Sequence, residues 1–375
     1  MNMLRTVATV ARFEARLLFR SWGFRFFSGT ALLLLGLVAA GLALSPYSGL
    51  YFSRALSGAF PVIVLKLLNV FQGIMAVFIA VEHQNRDRRL DTTEVVYVHP
   101  FANEAYVLGK FLGILAVFAA LNLAVAFLAA LVQLVFSPAP FSAAAYLAAL
   151  LLLNIPTLLF MIGLTILLGS LIRQSAVVIL ASLVYAFLAL ILLGPRAGSV
   201  FDPFGFHLPF FPSDFIGLGN LPAVLPLRAA YALLGLGFAS ISMLLLRRLP
   251  QVSRLRKAFV VLPLLALSAA AWLFAAQLRG RAADRGFRDE IRAASLSASG
   301  RPAMALERCD LRLKTEGHAL SAAADLVLSN PNGEAVRTIL LNLNPGLAVV
   351  SVESESGALP FRRTRHLLEV EPSAP

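Results

Sequence analysis

Seven stretches of the chain are apolar for long enough to cross a bilayer, and polar punctuation separates each from the next. They run approximately over residues 26–44, 61–81, 111–136, 143–171, 176–194, 227–246 and 258–278. A hydrocarbon core about 30 Å thick needs about 20 such residues at about 1.5 Å of rise each. The pattern therefore predicts seven transmembrane helices. The fourth run is long and holds Pro156, which predicts a kink or a strong tilt there.

Two other periodicities flank these runs. Over residues 4–22, Leu4, Val7, Ala11, Leu18 and Trp22 share one helical face, and Glu14 alone interrupts the stripe. Arg5, Arg12, Arg16 and Arg20 gather on the opposite side. This predicts a basic amphipathic helix lying in the membrane interface, with Arg12, Arg16, Arg20 and Trp22 as its anchors. From Leu306 onward the period moves towards two, in LERCDLRLK, ALSAAADLVLSN, AVRTILLNLN, LAVVSVESE and HLLEVE, with NPNGE and NPG as turns. That rhythm predicts a small antiparallel β domain over residues 305–375, reached through a charged, then small and polar, juxtamembrane helix and linker at 279–304. The expected class is an α-helical polytopic membrane protein with a C-terminal β domain. Its parts are an interfacial helix (1–25), a transmembrane domain (26–278), the linker and the β domain.

Between the second and third runs lies VEHQNRDRRLDTTEVVYVHPFANEAYVLGKFLG, which holds a loop of about 29 residues, far longer than a tight connection needs. Its DTTE reads as a capping box, with Asp91 at the cap and Glu94 reaching back. A short helix should follow through Val95, Val96, Tyr97 and Val98, and Pro100 stops it. Those apolar residues need a surface to bury against, and the loop is too small to form its own core; a partner protein is the simplest answer. Asn103 can cap the next helix.

Composition agrees with the membrane pattern. The chain of 375 residues is 59% hydrophobic and 14% charged, with a mean hydropathy of +0.80. Residues 1–278 carry 19 Lys/Arg against 8 Asp/Glu, while residues 279–375 carry 13 against 12, so the basic excess belongs to the membrane part. Nucleic-acid binding is not indicated, because these charges sit between the apolar runs, where topology accounts for them. With the N-terminus inside, the inner segments hold 15 Lys/Arg, and the outer loops and their edges hold Arg54, Arg196 and Arg228. An odd number of spans then places the β domain outside. The first run is long enough to remain as a span, and the N-terminus does not read as a cleavable signal.

Candidate chemistry is sparse. The one cysteine, Cys309, allows no internal disulfide and no multi-Cys metal site. Lys66, inside the second run, reads as a side chain snorkelling to the nearby interface rather than lining a substrate path. Asn69, Gln72, Asn122, Gln133 and Asn154 read as joining helices by hydrogen bonds. Asp202, His207 and Asp214 fall in a Pro-, Gly- and Phe-rich outer loop without metal-ligand spacing. No catalytic or metal-binding residue is assigned.

The segment RDRRLDTTEVVYVHPFANEAYVLGKFLG resembles the inner loop of ABC-2-type transporter permeases. The resemblance extends over roughly residues 1–250 in the order of elements, the number of spans and the topology. It implies that Asp91, Thr92, Thr93, Glu94, Val95, Val96, Tyr97 and Pro100 form a coupling helix seated in a groove of a separate ABC ATPase subunit, with Gly109 and Lys110 entering the third span. The family commonly has Gly-Thr before the Glu, and leucines where this chain has Val95 and Val96. The resemblance also implies a homo- or heterodimer of permeases in a bacterial inner membrane, with no enzymatic activity in this chain and ATP bound only by the partner. The sequence agrees: Gly109-Lys110 is followed by Phe111, not Ser or Thr, so it is no P-loop. LVLSNPNGEAVRTILLNLNPGL resembles the start of the N-terminal β-domain of M1-family aminopeptidases, which implies a membrane anchor or scaffold for a peptidase-like or binding domain as the alternative function. The peptidase needs His-Glu-x-x-His for zinc, and the five histidines (His83, His99, His207, His318 and His366) are isolated. The chain ends soon after its last strand, as an incomplete or divided domain would.

Overall fold

The computed structural model describes residues 3–44, 56–89, 102–196, 199–213, 217–245, 256–316 and 319–372. Eight long helices lie among them. They are α1 (Met3–Arg20), α2 (Trp22–Leu44), α3 (Ala59–Arg89), α4 (Asn103–Phe136), α5 (Ala143–Leu171), α6 (Ser175–Arg196), α7 (Leu221–Leu245) and α8 (Arg256–Ala298). Seven of them, α2 to α8, are long and apolar enough to cross a membrane. The chain divides into two compact units, residues 1–278 and 279–375.

Local chemistry explains where the helices of the first unit break. Ser21 separates α1 from α2: its hydroxyl donates to Leu18 O at 2.8 Å and accepts from Phe24 N–H at 3.3 Å, capping the new helix. At the start of α4 the N-cap is Ala102, without a side-chain bond, and Asn103 is the first helical residue, not the expected cap. Both α5 and α6 contain a π-helical turn, over Leu150–Asn154 and Leu188–Leu193. Each turn ends one residue before a proline-containing pair, Ile155-Pro156 and Gly194-Pro195. Ile155 N–H donates five residues back to Leu150 O, and Gly194 N–H to Ala189 O. A proline removes one helical donor, and its ring crowds the carbonyl four residues before it. The widened turn relieves that crowding, so the break expected at Pro156 takes the form of a π bulge.

Helices α5 and α7 touch backbone to backbone. A Cβ on Gly163 would lie 2.2 Å from Gly235 O, and one on Gly235 would lie 2.2 Å from Leu159 O. Only glycine permits this approach, which is how helices gain van der Waals contact without a hydrophobic drive between them. Around the crossing, Phe160 meets Tyr231 edge-to-face at 5.1 Å and Tyr231 meets Phe274 at 5.3 Å.

The second unit begins within α8, which continues unbroken through 279–298. Beyond it, all strand pairs are antiparallel. After the short antiparallel pair β1 (Pro212–Ser213) and β2 (Gly217–Leu218) of the first unit, strands β3 (Ala305–Glu316) and β4 (Ala319–Ser329) of the second form a long hairpin. Strands β5 (Ile339–Asn342), β8 (Phe361–Thr364) and β9 (Leu367–Val370) form a sheet in the order β5-β9-β8, and β6 (Glu353–Ser354) pairs with β7 (Gly357–Ala358). The expected strand at LAVVSVESE is reduced to β6, and β8 was not anticipated. A small core of Val336, Leu367, Leu368 and Val370 is buried here. At the β8–β9 turn Arg365 sits 5.2 Å over the Phe287 ring and pairs with Glu290, while His366 Nε2 meets Ser295 Oγ at 2.9 Å.

Candidate functional site

Asp91, Thr92, Thr93, Glu94, Val95, Val96, Tyr97 and Pro100 lie outside the described residues, as does the capping box they were expected to form. The helices that carry this loop are described: α3 leads into it, and α4 leaves it.

At the base of the loop, α1 packs along the start of α4. A Cβ on Gly109 would lie 2.6 Å from Val10 Cβ, and one on Gly113 would lie 2.8 Å from Glu14 Cβ and 2.9 Å from Ala11 O. Gly109 and Gly113 are four residues apart, so they share one helical face and let α1 seat against it. Of the apolar stripe expected to lie in the membrane interface, Val7 and Leu18 are buried against protein, while Leu4 and, at the start of α2, Trp22 are exposed. Arg12, Arg16 and Arg20 are exposed.

Glu14, the interruption in that stripe, is buried at the centre of a charge cluster. Its side chain is 4% exposed. Arg86 Nη2 donates to both carboxylate oxygens, at 3.0 and 2.9 Å. His83 Nδ1 lies 2.7 Å from Glu14 Oε2; an ionised carboxylate only accepts, so the shared proton belongs to Nδ1. Lys110 Nζ stands 3.8 Å from Glu14 Oε1 and donates to His83 O at 2.9 Å, with the Tyr106 ring 4.7 Å below it. Burial by itself would raise the Glu14 carboxyl. The His83 hydrogen bond and the charges of Lys110, His83 and Arg86 overcome it, holding the group below the ordinary carboxylate value of 4.5. His83 and Arg86 stand on α3 just before the loop and Lys110 on α4 just after it, so a residue from a third helix grips both ends.

A second polar centre lies among α3, α4, α5, α7 and the segment 199–213. Arg228 is 1% exposed, and all five of its N–H groups are matched. Nε donates to Leu152 O (2.8 Å), Nη1 to Pro203 O (2.9 Å) and Asp202 O (3.4 Å), and Nη2 to Leu153 O and Thr157 Oγ1 (both 2.7 Å). Leu152 is four residues before Pro156, which has no N–H to offer its carbonyl; Arg228 donates to it. Asn69 donates to Leu153 O, Thr157 Oγ1 and Phe204 O, and receives from Gln72 at 3.0 Å. Asn122 donates to Gln72 Oε1 at 2.5 Å and receives from Asn154. Gln133 donates to Pro140 O at 3.1 Å and accepts from Tyr146 OH at 2.9 Å. The span amides thus join helices, as their types suggested. Lys66 donates to Leu208 O, in the segment 199–213, at 3.3 Å. Asp202 Oδ2 accepts from His207 N–H at 2.6 Å, His207 Nε2 lies 2.6 Å from Leu190 O, and Asp214 is outside the described residues.

Sequence reading missed the partners of Glu14 and the burial of Arg228. The interrupted stripe was a signal for the first. For the second, α7 begins at Leu221, six residues before the expected run, which carries Arg228 into the helical bundle.

A family model described as ABC-2 family transporter protein matches residues 8–205, just over half of the chain. No curated protein matches.

Proposed function

The chain belongs to the ABC-2 family of transporter proteins and is a multi-pass membrane protein, and from that premise we propose that it is the membrane-spanning permease subunit of an ATP-binding-cassette transporter, driven by a separate ATPase that docks on residues 91–100. One observation carries this reading. The family match runs from α1 through the long loop and the first five spans, and both ends of that loop are tied to one another at the Glu14 cluster. A tied base is what a lever needs: motion of a docked partner then moves helices rather than slack chain. Thr92, Thr93, Glu94, Val95, Val96 and Tyr97 would form the seat, Asp91 its cap and Pro100 its end. The ATP would be held by the partner, and the working unit would be a dimer of permeases. The distribution of Lys and Arg supports an inner-membrane orientation with the N-terminus cytoplasmic and the β domain outside.

A tagged full-length chain purified from its native membranes should bring down a protein with MgATP hydrolysis activity. Glu94→Ala and Tyr97→Ala should each lower the stimulation of that hydrolysis by the permease by roughly tenfold, the loss expected from about 1.4 kcal/mol of interface energy. Undiminished stimulation in both variants would remove the docking assignment.

A second reading, an anchor for a peptidase-like or binding domain, has one observation in its favour. The register of the β3–β4 hairpin puts Cys309, Leu311 and Leu313 on the same face as Leu326, Ala324 and Ala322, and the three leucines and Cys309 are exposed. The likeness of this unit to the M1 β-domain belongs to that reading.

A further inference from the structure

We propose that Glu14 is a positioning residue for ATPase coupling, closing the base of segment 87–109 by gripping His83 and Arg86 on one side and Lys110 on the other, so that load on the loop reaches α2, α3 and α4 as one body. This rests on the docking role proposed for the loop and adds to it the residue that ties together the two helices flanking it.

Geometry separates this role from ordinary packing. The contact between α1 and α4 is already made by Val7, Val10 and Ala11 against Gly109 and Gly113, and a leucine at position 14 would continue that apolar stripe. Burying a carboxylate there is no gain in stability over an apolar residue of similar volume. What the carboxylate adds is reach to a different helix, α3, through two hydrogen bonds from Arg86 and the contact with His83. The loop ends are also joined directly, by Lys110 Nζ on His83 O. With Glu14 removed, two or three cationic groups would face one another with nothing between them. Lys110 and His83 are 8% and 6% exposed, so little water would screen them. The base should then spread. Because α1 passes into α2 across the single residue Ser21, α1 also hands the load to the first span.

The experiment uses the full-length chain in lipid nanodiscs with Cys309→Ser as background. Spin labels replace Arg12 and Glu82, exposed positions on α1 and α3. Glu14→Gln should broaden the distance distribution between them, and in complex with the copurified ATPase it should lower permease-stimulated MgATP hydrolysis at least fivefold with KM for ATP unchanged. Arg86→Gln should do the same, and the double variant should lose little more than either single one, as members of one network do. A merely structural residue would lower the yield of folded complex without altering turnover per folded complex. If Glu14→Gln fails to fold, Glu14→Asp keeps the charge, shortens the reach by one methylene and should show the same loss in weaker form. Unchanged distances, or broadened distances with unchanged stimulation, would overturn the inference while leaving the docking site in place. Failure of any ATP-hydrolysing protein to copurify with the wild-type chain would overturn the proposed function, and with it the coupling role.

Discussion

At the scale of single residues, two of the charged side chains buried in the first unit are handled in opposite ways. Glu14 is held by other charged side chains, whereas Arg228 is solvated by main-chain carbonyls and one threonine hydroxyl. For Arg228 the consequence is energetic. Arg228→Met would leave the Leu152 carbonyl without the arginine and take one donor each from Leu153 O and Pro203 O, which keep Asn69 or Thr157; a buried acceptor left unmatched costs about 1–3 kcal/mol. Denaturant unfolding in detergent should show that loss, while the exposed Arg196→Met should stay within about 0.5 kcal/mol of the parent; equal stability of the two variants would mean that Arg228 is dispensable to the bundle. None of this was legible beforehand, because a sequence shows that an arginine borders an apolar run but not that a proline on another helix has freed a carbonyl for it.

At the scale of elements, backbone approach decides which helices pair. Glycines let α1 seat on α4 and α5 cross α7, and in both places a single Cβ would strike a neighbouring helix. Gly109→Val should therefore lift α1, since overfilling a packed contact costs about 1–3 kcal/mol. In a Cys309→Ser background, a cysteine placed at buried Val7 should react with maleimide on the order of tenfold faster when Gly109→Val is added, the factor equivalent to about 1.4 kcal/mol. An unchanged rate would show that α1 is held elsewhere. The elements themselves were well announced: all seven runs are helices, and the fourth spans Ala143–Leu171 as its apolar pattern indicated. The π turns in α5 and α6 were not, because a proline announces a break without saying whether the helix kinks or widens.

At the scale of the whole molecule, the chain runs from a helical membrane unit to a small β unit through one long helix, α8, and its excess of basic over acidic residues lies between the apolar runs of the first. That charge distribution predicts the side on which the second unit lies. Cys309 is exposed and is the sole cysteine of the sequence, so a membrane-impermeant maleimide should label it in spheroplasts without lysis; labelling that requires lysis would invert the topology. The sequence by itself determined the number and extent of the spans, the antiparallel character of the C-terminal unit and the family, because apolar length, strand alternation and short motifs are local properties. Tertiary structure alone decided that Val7 and Leu18 of α1 pack against protein, that Glu14 meets both helices that flank a loop, and that Arg228 bonds to a proline-broken helix. Each of these depends on groups 70 or more residues apart, such as Arg86 on Glu14 and Arg228 on Leu153. Their meeting is set by how helices pack, and a linear pattern does not record that.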